Sequence, residues 1–170
     1  MEAEGETVVV VKNDQFDIDA IGKYDRLVIS PGPGIPQESG ILMELIQRAY
    51  GKLPILGVCM GMQALALHSG FELYNMESPL HGLMRDIEVK DGVLFRNLPA
   101  VMPVGLYHSW AVKSSDVEGW TITAHTANNI VMAIENPTQR AFGVQFHPES
   151  VMTKYGRDIV RNFLAVTRLH

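Results

Sequence analysis

The chain has a single cysteine, and its surroundings constrain the fold more than any other feature. Cys59 lies between an apolar run at residues 53–58 and a helical pattern at residues 62–67, within the sequence G-V-C-M-G at residues 57–61. Between a strand and a helix, such a turn holds its central residue in a strained conformation for which the two glycines leave room. The N–H groups of the following helix favour a thiolate at this position. A buried structural cysteine is the alternative, and the turn alone leaves both interpretations open.

Composition restricts the class of protein. The chain has 170 residues, 46% hydrophobic and 19% charged, without repeats or linkers, so we expect one domain spanning residues 1–170. A formal net charge of -5 without a lysine or arginine run argues against nucleic acid and against a membrane as partners. One cysteine forms no internal disulfide and no signal-peptide pattern is present, so we expect the cytoplasm. No cysteine–histidine cluster has metal-site spacing, so neither a metal ion nor a cofactor is expected.

The order of apolar segments predicts an α/β fold. Strands are predicted at residues 7–11, 26–30 and 53–58, and helices at residues 41–49 and 61–69. Strands that alternate with helices form a mainly parallel sheet with helices on both faces. In the second half of the chain, shorter strands are predicted at residues 71–75, 86–95, 101–107, 120–126, 130–135 and 141–146. A closing helix is predicted at residues 155–168.

A glycine- and proline-rich loop at residues 31–36 follows the predicted strand at residues 26–30. In open α/β sheets, ligands bind at the carboxyl ends of strands, and Cys59 follows another such end. Gly32 and Gly34 allow the backbone to approach a ligand closely, so the loop is a candidate donor to an oxyanion, together with the N–H of Met60. An ordinary turn is the alternative.

The sequence F-H-P-E-S at residues 146–150 supplies a candidate base. A cysteine nucleophile needs a base, and the base needs an orienting group. In extended backbone His147 and Glu149 point the same way, and Pro148 keeps His147 extended. Glu149 can then fix the tautomer of the imidazole and support its charge. Pairs of this kind also occur by chance, so the motif is weak by itself.

Three motifs taken together resemble one family. They are S-P-G-P-G at residues 30–34, G-V-C-M-G-M-Q at residues 57–63 and G-V-Q-F-H-P-E-S at residues 143–150. Their order and separation are similar to those of class I (triad) glutamine amidotransferases. The segment Y-H-S-W at residues 107–110 resembles the glutaminase subunits of anthranilate synthase and aminodeoxychorismate synthase. The resemblance covers nearly the whole chain and implies an open, mainly parallel sheet flanked by helices.

The resemblance implies a catalytic triad and a glutamine site. Cys59 would attack the side-chain amide carbon of glutamine, His147 would transfer the protons, and Glu149 would orient His147. The backbone N–H groups of Gly34 and Met60 would hold the oxyanion. The residues that match glutamine-holding positions of the family are Gly32, Pro33, Gly34, Gln63, Ser109 and Trp110.

The resemblance also implies partners. The substrate would be L-glutamine, and the ammonia would pass to a chorismate-using synthase subunit (component I). Anthranilate synthase is the first interpretation, and the same role in aminodeoxychorismate synthase stays open because the two synthases can share one glutaminase subunit. Two other classes of function also stay open: a catalytically silent partner subunit, and a cysteine hydrolase such as a peptidase on a similar scaffold.

The sequence departs from the family pattern in three places. Family members usually begin with a strand and a helix before the strand that matches residues 7–11, so the chain is expected to lack this first βα unit. Met62 occupies a position where histidine is common, outside the triad. The sequence H-G-L at residues 81–83 replaces the more usual H-G-K, which weakens the inference about contacts with the synthase subunit.

Overall fold

Seven strands form a mixed sheet in the computed structural model, which describes residues 1–167. The strands are β1 (Leu27–Ile29), β2 (Ile55–Val58), β3 (Leu73–Val89), β4 (Val101–Val112), β5 (Thr121–Thr126), β6 (Val131–Asn136) and β7 (Ala141–Val144). Their spatial order is β1-β2-β7-β6-β5-β3-β4. Strands β1, β2 and β7 pair in parallel, and the other neighbours pair antiparallel. The predicted α/β fold is confirmed, with parallel pairing in the part of the sheet that precedes Cys59.

Helices cover both faces of the sheet because the apolar side chains of its strands alternate between them. Leu56 and Val58 of β2 belong to the same buried cluster as Phe163, whereas Ile55 packs in a separate cluster with Leu65. The helices are α1 (Leu42–Ala49), α2 (Met60–Ser69) and α3 (Gly156–Val166), with short 3-10 helices at Glu2–Glu4, Ile18–Lys23 and Pro36–Glu38. Of the helices in residues 1–167, none has the length and apolar character needed to cross a membrane. The predicted closing helix agrees with α3, and its last predicted residue, 168, lies outside the described residues.

The second half differs from the sequence prediction in the length of its strands. Residues 71–75 and 86–95, predicted as two strands, contribute to one long strand, β3, which ends at Val89. The polar residues between them suggest a turn, but they continue an antiparallel ribbon with β4 that contains two register shifts. Strand β4 continues beyond the predicted residue 107 to Val112. The segment at residues 107–110 therefore lies within a strand, which fixes its backbone.

The strand predicted at residues 7–11 is wrong. These residues form no regular structure, and Val9, Val10 and Val11 are 59%, 90% and 41% exposed. Four consecutive valines have high β-propensity, but a strand also needs a neighbour with which to exchange hydrogen bonds. No strand among the described residues pairs with this run. High β-propensity alone is therefore not sufficient to form a strand at residues 7–11.

Two glycines allow α2 to lie at a very short distance from β1 and β2. A Cβ at Gly57 would lie 2.4 Å from the carbonyl carbon of Gly61, and a Cβ at Gly61 would lie 2.5 Å from the carbonyl oxygen of Ile29. Both obstacles are backbone atoms, which cannot rotate away as a side-chain end can. The turn around Cys59 therefore depends on glycine at positions 57 and 61.

Gly57→Ala is expected to lower the free energy of unfolding by about 3 kcal/mol, because the added Cβ forces backbone apart. Gly22→Ala is the matched control, since a Cβ there meets no heavy atom within 4 Å. Urea unfolding followed by circular dichroism measures both variants. If the two variants unfolded at the same urea concentration as the parent chain, the close contact between β2 and α2 would not be a constraint on the fold.

Candidate active site

Cys59 occupies a strained turn between β2 and α2. Its backbone has φ 54 and ψ -105, a conformation that residues with a side chain rarely adopt. The backbone N–H of Cys59 donates to the carbonyl oxygen of Val144 at 2.8 Å, which ties the turn to β7. The side chain is only 6% exposed. This is the geometry expected of a nucleophile held at the carboxyl end of a strand.

The first turn of α2 and the loop after β1 lie beside this cysteine. Met60 begins the helix, so its N–H has no acceptor within the helix and points toward the turn. A Cβ on Gly32 would lie 2.4 Å from the Cε atom of Met60, and the hydroxyl of Ser39 donates to the Met60 sulfur at 3.2 Å. Gly34, farther along the loop, has a positive φ of 82. The loop therefore borders the turn at Cys59, as predicted for two segments that follow the carboxyl ends of strands, whereas the oxyanion role of Gly34 and Met60 stays a prediction.

His147 and Glu149 form a directly hydrogen-bonded pair. The Nδ1 atom of His147 lies 2.7 Å from Oε1 of Glu149. The backbone N–H of His147 donates to the carbonyl oxygen of Gly105 at 3.1 Å, and its carbonyl accepts a 2.6 Å hydrogen bond from the hydroxyl of Thr153. The ring of Tyr107 packs against the imidazole at 4.7 Å between centroids. These contacts fix the ring with Nδ1 toward the carboxylate, and the buried Nε2 atom has no hydrogen-bond partner among residues 1–167.

Electrostatics place a proton on His147. Burial of the ring lowers the pKa of His147, but the negative charge at the Cys59 sulfur and the hydrogen bond and charge of the Glu149 carboxylate outweigh it and raise this pKa to about 9. Burial raises the pKa of Glu149, and the hydrogen bond from His147 reverses this, so that the pKa of the carboxyl lies below its usual value. Where the Cys59 sulfur carries its negative charge, the pair at neutral pH is an imidazolium and a carboxylate. His147 therefore carries a proton that it can donate beside the sulfur.

The predicted pocket residues on α2 and β4 are in contact. The Nε2 atom of Gln63 donates to the carbonyl oxygen of Trp110 at 2.9 Å, and Gln63 is 3% exposed. Ser109 and Trp110 are half-buried where β4 passes the helix, whereas Pro33 is exposed on the loop after β1. Gln63 thus joins the cysteine helix to the strand that carries the Y-H-S-W segment.

The sequence analysis assigns no role to two residues that lie at the site, although both fall within the motifs quoted there. Gln145 is fully buried, and its Nε2 atom lies 3.6 Å from the sulfur of Cys59. His108 is 3% exposed, and its Nδ1–H donates to the carbonyl of Trp110 at 2.8 Å. Burial lowers the pKa of His108, and the charge of His147 lowers it further, against the opposing hydrogen bond to Trp110. The available signal was a glutamine at the end of an apolar strand, two residues before the candidate base.

Within residues 1–167, no group of three or more histidine, cysteine, aspartate or glutamate side chains is arranged to hold a metal ion. The site consists instead of a thiol, an imidazole, a carboxylate and the amides around them. Such groups perform nucleophilic attack on a carbonyl carbon and acid–base catalysis. The arrangement is therefore suited to acyl transfer through a covalent sulfur intermediate.

Comparison with known proteins identifies the family to which this chain is similar. A family model described as glutamine amidotransferase class-I matches residues 1–166. The chain is 41% identical over 167 residues to aminodeoxychorismate/anthranilate synthase component 2 of Bacillus subtilis, covering 96% of this chain and 86% of that protein. It is 37% identical over 165 residues to anthranilate synthase component 2 of Pseudomonas aeruginosa, covering 92% and 82%. A solved glutamine amidotransferase from Thermotoga maritima has a TM-score of 0.65 at 20% identity, covering 95% and 66%, which supports the fold.

Glu149→Gln is expected to lower the pKa of His147 from about 9, because the variant removes the negative charge and the carboxylate acceptor beside Nδ1. In the parent chain the imidazolium loses its proton as the pH rises through that value, and in the variant it does so at lower pH. Titration of the imidazole by NMR measures both. Glu118→Gln, at an exposed turn, is the matched control and should leave the titration unchanged. An unchanged titration in Glu149→Gln would contradict the role of this carboxylate.

Proposed function

The chain belongs to the class-I glutamine amidotransferase family, and from that premise we propose that it hydrolyses glutamine to glutamate and ammonia. The observation that carries the proposal is the position of Cys59, which sits in a strained turn near enough to His147 for its charge to raise the pKa of that imidazole. His147 is in turn hydrogen-bonded to Glu149. A nucleophile, an acid–base group and an orienting carboxylate therefore occupy one place in the fold.

The first chemical step forms a thioester. The Cys59 thiolate attacks the side-chain amide carbon of glutamine, and the electron pair of the C=O bond moves to the oxygen. The N–H groups of Gly34 and Met60 hold that oxyanion. When it collapses, the C–N bond breaks and His147 gives its proton to the departing nitrogen, which leaves as ammonia. Glu149 keeps the imidazole oriented during the transfer.

The second step restores the enzyme. A water molecule gives a proton to the neutral His147 and attacks the thioester carbon. The C–S bond breaks, glutamate departs, and Cys59 is again a thiolate next to an imidazolium. One difficult amide cleavage is thereby divided into two easier steps, with glutamine and water consumed and glutamate and ammonia produced.

The glutamine pocket lies between the loop after β1 and the junction of α2 with β4. Gly32, Pro33 and Gly34 form one side, and Gln63, Ser109 and Trp110 form the other. The contact between Gln63 and the Trp110 carbonyl supports this assignment, because it holds the two elements together beside Cys59. The NH2 group of Gln63 is engaged by the Trp110 carbonyl and by Gln145, so we assign its carboxamide oxygen to the substrate.

A chorismate-using synthase subunit is the proposed receiver of the ammonia. The names of the relatives from Bacillus subtilis and Pseudomonas aeruginosa, both component 2 of such a synthase, support this partner. Anthranilate synthase is the first assignment, and the name of the Bacillus relative also supports the aminodeoxychorismate reaction. We place the pair in the cytoplasm, because the single cysteine of the chain is free and forms no disulfide.

Glutamate release from glutamine tests this function. Cys59→Ser is expected to lower the rate by about a thousandfold or more, because a serine hydroxyl is a much weaker nucleophile in a site built for a thiolate. Adding a chorismate-using synthase subunit to the parent chain is expected to raise the rate. The measurement compares both proteins, each with and without that subunit, after circular dichroism has shown that they are folded.

Three results distinguish the alternatives. No glutamate from folded parent protein under either condition would indicate a catalytically silent partner subunit. Equal rates for the parent and for Cys59→Ser would remove Cys59 from the mechanism. Hydrolysis of a peptide substrate in preference to glutamine would indicate a cysteine hydrolase on the same scaffold.

A further inference from the structure

The side-chain amide of Gln145 is buried directly against the sulfur of Cys59. Gln145 has no exposed surface, and its Nε2 atom lies 3.6 Å from Sγ of Cys59. Its backbone N–H donates to the carbonyl of Met132 at 2.9 Å, which fixes the residue to the strand β6. The side-chain amide of Gln145 thus contacts the sulfur from the side of the sheet, on a segment separate from helix α2.

Neighbouring hydrogen bonds determine which end of this amide faces the sulfur. The carbonyl of Trp110 can only accept, so the atom of Gln63 that lies 2.9 Å from it must be the NH2 group. The same NH2 group lies 3.1 Å from the other end of the Gln145 amide, which must therefore be its oxygen. The remaining end, the NH2 group of Gln145, faces Cys59.

A second hydrogen bond fixes the Trp110 carbonyl, on which the orientation of the Gln63 and Gln145 amides depends. His108 also donates to the carbonyl of Trp110, at 2.8 Å, so that carbonyl is held between two donors. Gln63 and His108 are therefore positioning residues, which act on the sulfur through Gln145 and do not touch it. The chain of contacts runs from β4 through α2 to the segment after β7.

The energetics of burial favour a role at the sulfur. A buried amide is costly unless it is hydrogen-bonded, and an apolar side chain of the same size would fill this position without that cost. A thiol sulfur is a weak acceptor, whereas a hydrogen bond to an ionised acceptor is roughly twice as strong as a neutral one. The other titratable groups beside the sulfur are His147 and, behind it, Glu149 and His108. The Gln145 amide therefore gains most when Cys59 is ionised.

We propose that Gln145 is a further catalytic residue, whose amide N–H donates to the Cys59 thiolate, stabilises it and aims it at the substrate carbon. His147 supplies the opposite charge and the proton, whereas Gln145 supplies an uncharged donor that takes no part in proton transfer. The effect of Gln145 on catalysis rests on the proposed glutaminase function, whereas the contact between its amide and the Cys59 thiolate does not depend on that function.

Gln145→Met tests the inference, because methionine has similar length and no N–H donor. The rate of Cys59 alkylation by iodoacetamide is measured against pH, in the absence of glutamine. On the rising, acid limb of this curve the variant is expected to react about tenfold more slowly than the parent chain. Gln47→Met, on the exposed face of α1, is the matched control and should react at the parent rate.

Steady-state kinetics separate catalysis from pocket structure. If Gln145 acts on the thiolate, Gln145→Met lowers kcat for glutamate release by about tenfold and changes KM little. If Gln145 serves only to bridge Gln63 to the pocket, KM rises, kcat is kept and alkylation is unchanged, which overturns the inference. Slower alkylation of the variant, together with no glutaminase activity in the parent chain, would refute the proposed function and leave the contact with the thiolate standing.

A variant that fails to fold is recognised because its alkylation rate in buffer equals its rate in urea. In that case Gln145→Asn replaces it as the test, since this change keeps a hydrogen-bonding amide at the position but draws its N–H groups back from the sulfur by one methylene. The alkylation curve of Gln145→Asn is then expected to show the same slowing on its acid limb. An unchanged curve would overturn the inference.

Discussion

The rest of the site depends on the strained backbone of Cys59. Its positive φ is maintained by a hydrogen bond from its N–H to Val144 and by the absence of side chains at Gly57 and Gly61. A strained residue persists only where its surroundings fix it, and here three strands and a helix do so. The same turn places the sulfur at the carboxyl end of β2 and at the first turn of α2. Moving any of these elements would move the nucleophile.

Two hydrogen-bonded pairs of side chains surround that sulfur. One pair is His147 with Glu149, which adds charge and a transferable proton. The other is Gln145 with Gln63, in which Gln145 adds one neutral hydrogen-bond donor to the sulfur. His147 and Gln145 lie two residues apart beyond the end of β7, so a single segment carries both side chains. Its position is in turn fixed by the neighbouring strands β4 and β6, through backbone hydrogen bonds.

The sequence predicts the features that are determined locally. The helix at residues 42–49, the turn at Cys59 and the proximity of His147 to Glu149 all follow from residue type and spacing. Features that depend on distant neighbours were not predictable. The valine run at residues 7–11 reads as a strand, yet it has no partner, and β3 continues through a polar stretch that reads as a turn. Gln145 was missed because its partners lie more than 80 residues away on α2 and become visible only when the sheet is formed.

Trapping the covalent intermediate tests the account most directly. The folded chain is mixed with glutamine, quenched with acid within the first turnovers and digested, and the peptide that contains Cys59 is examined by mass spectrometry. The account predicts an increase in mass equal to one glutamyl group on Cys59, absent from Cys59→Ser and lost again on longer incubation. Glutamate formation without any glutamyl group on Cys59, or with the group on another residue, would contradict it.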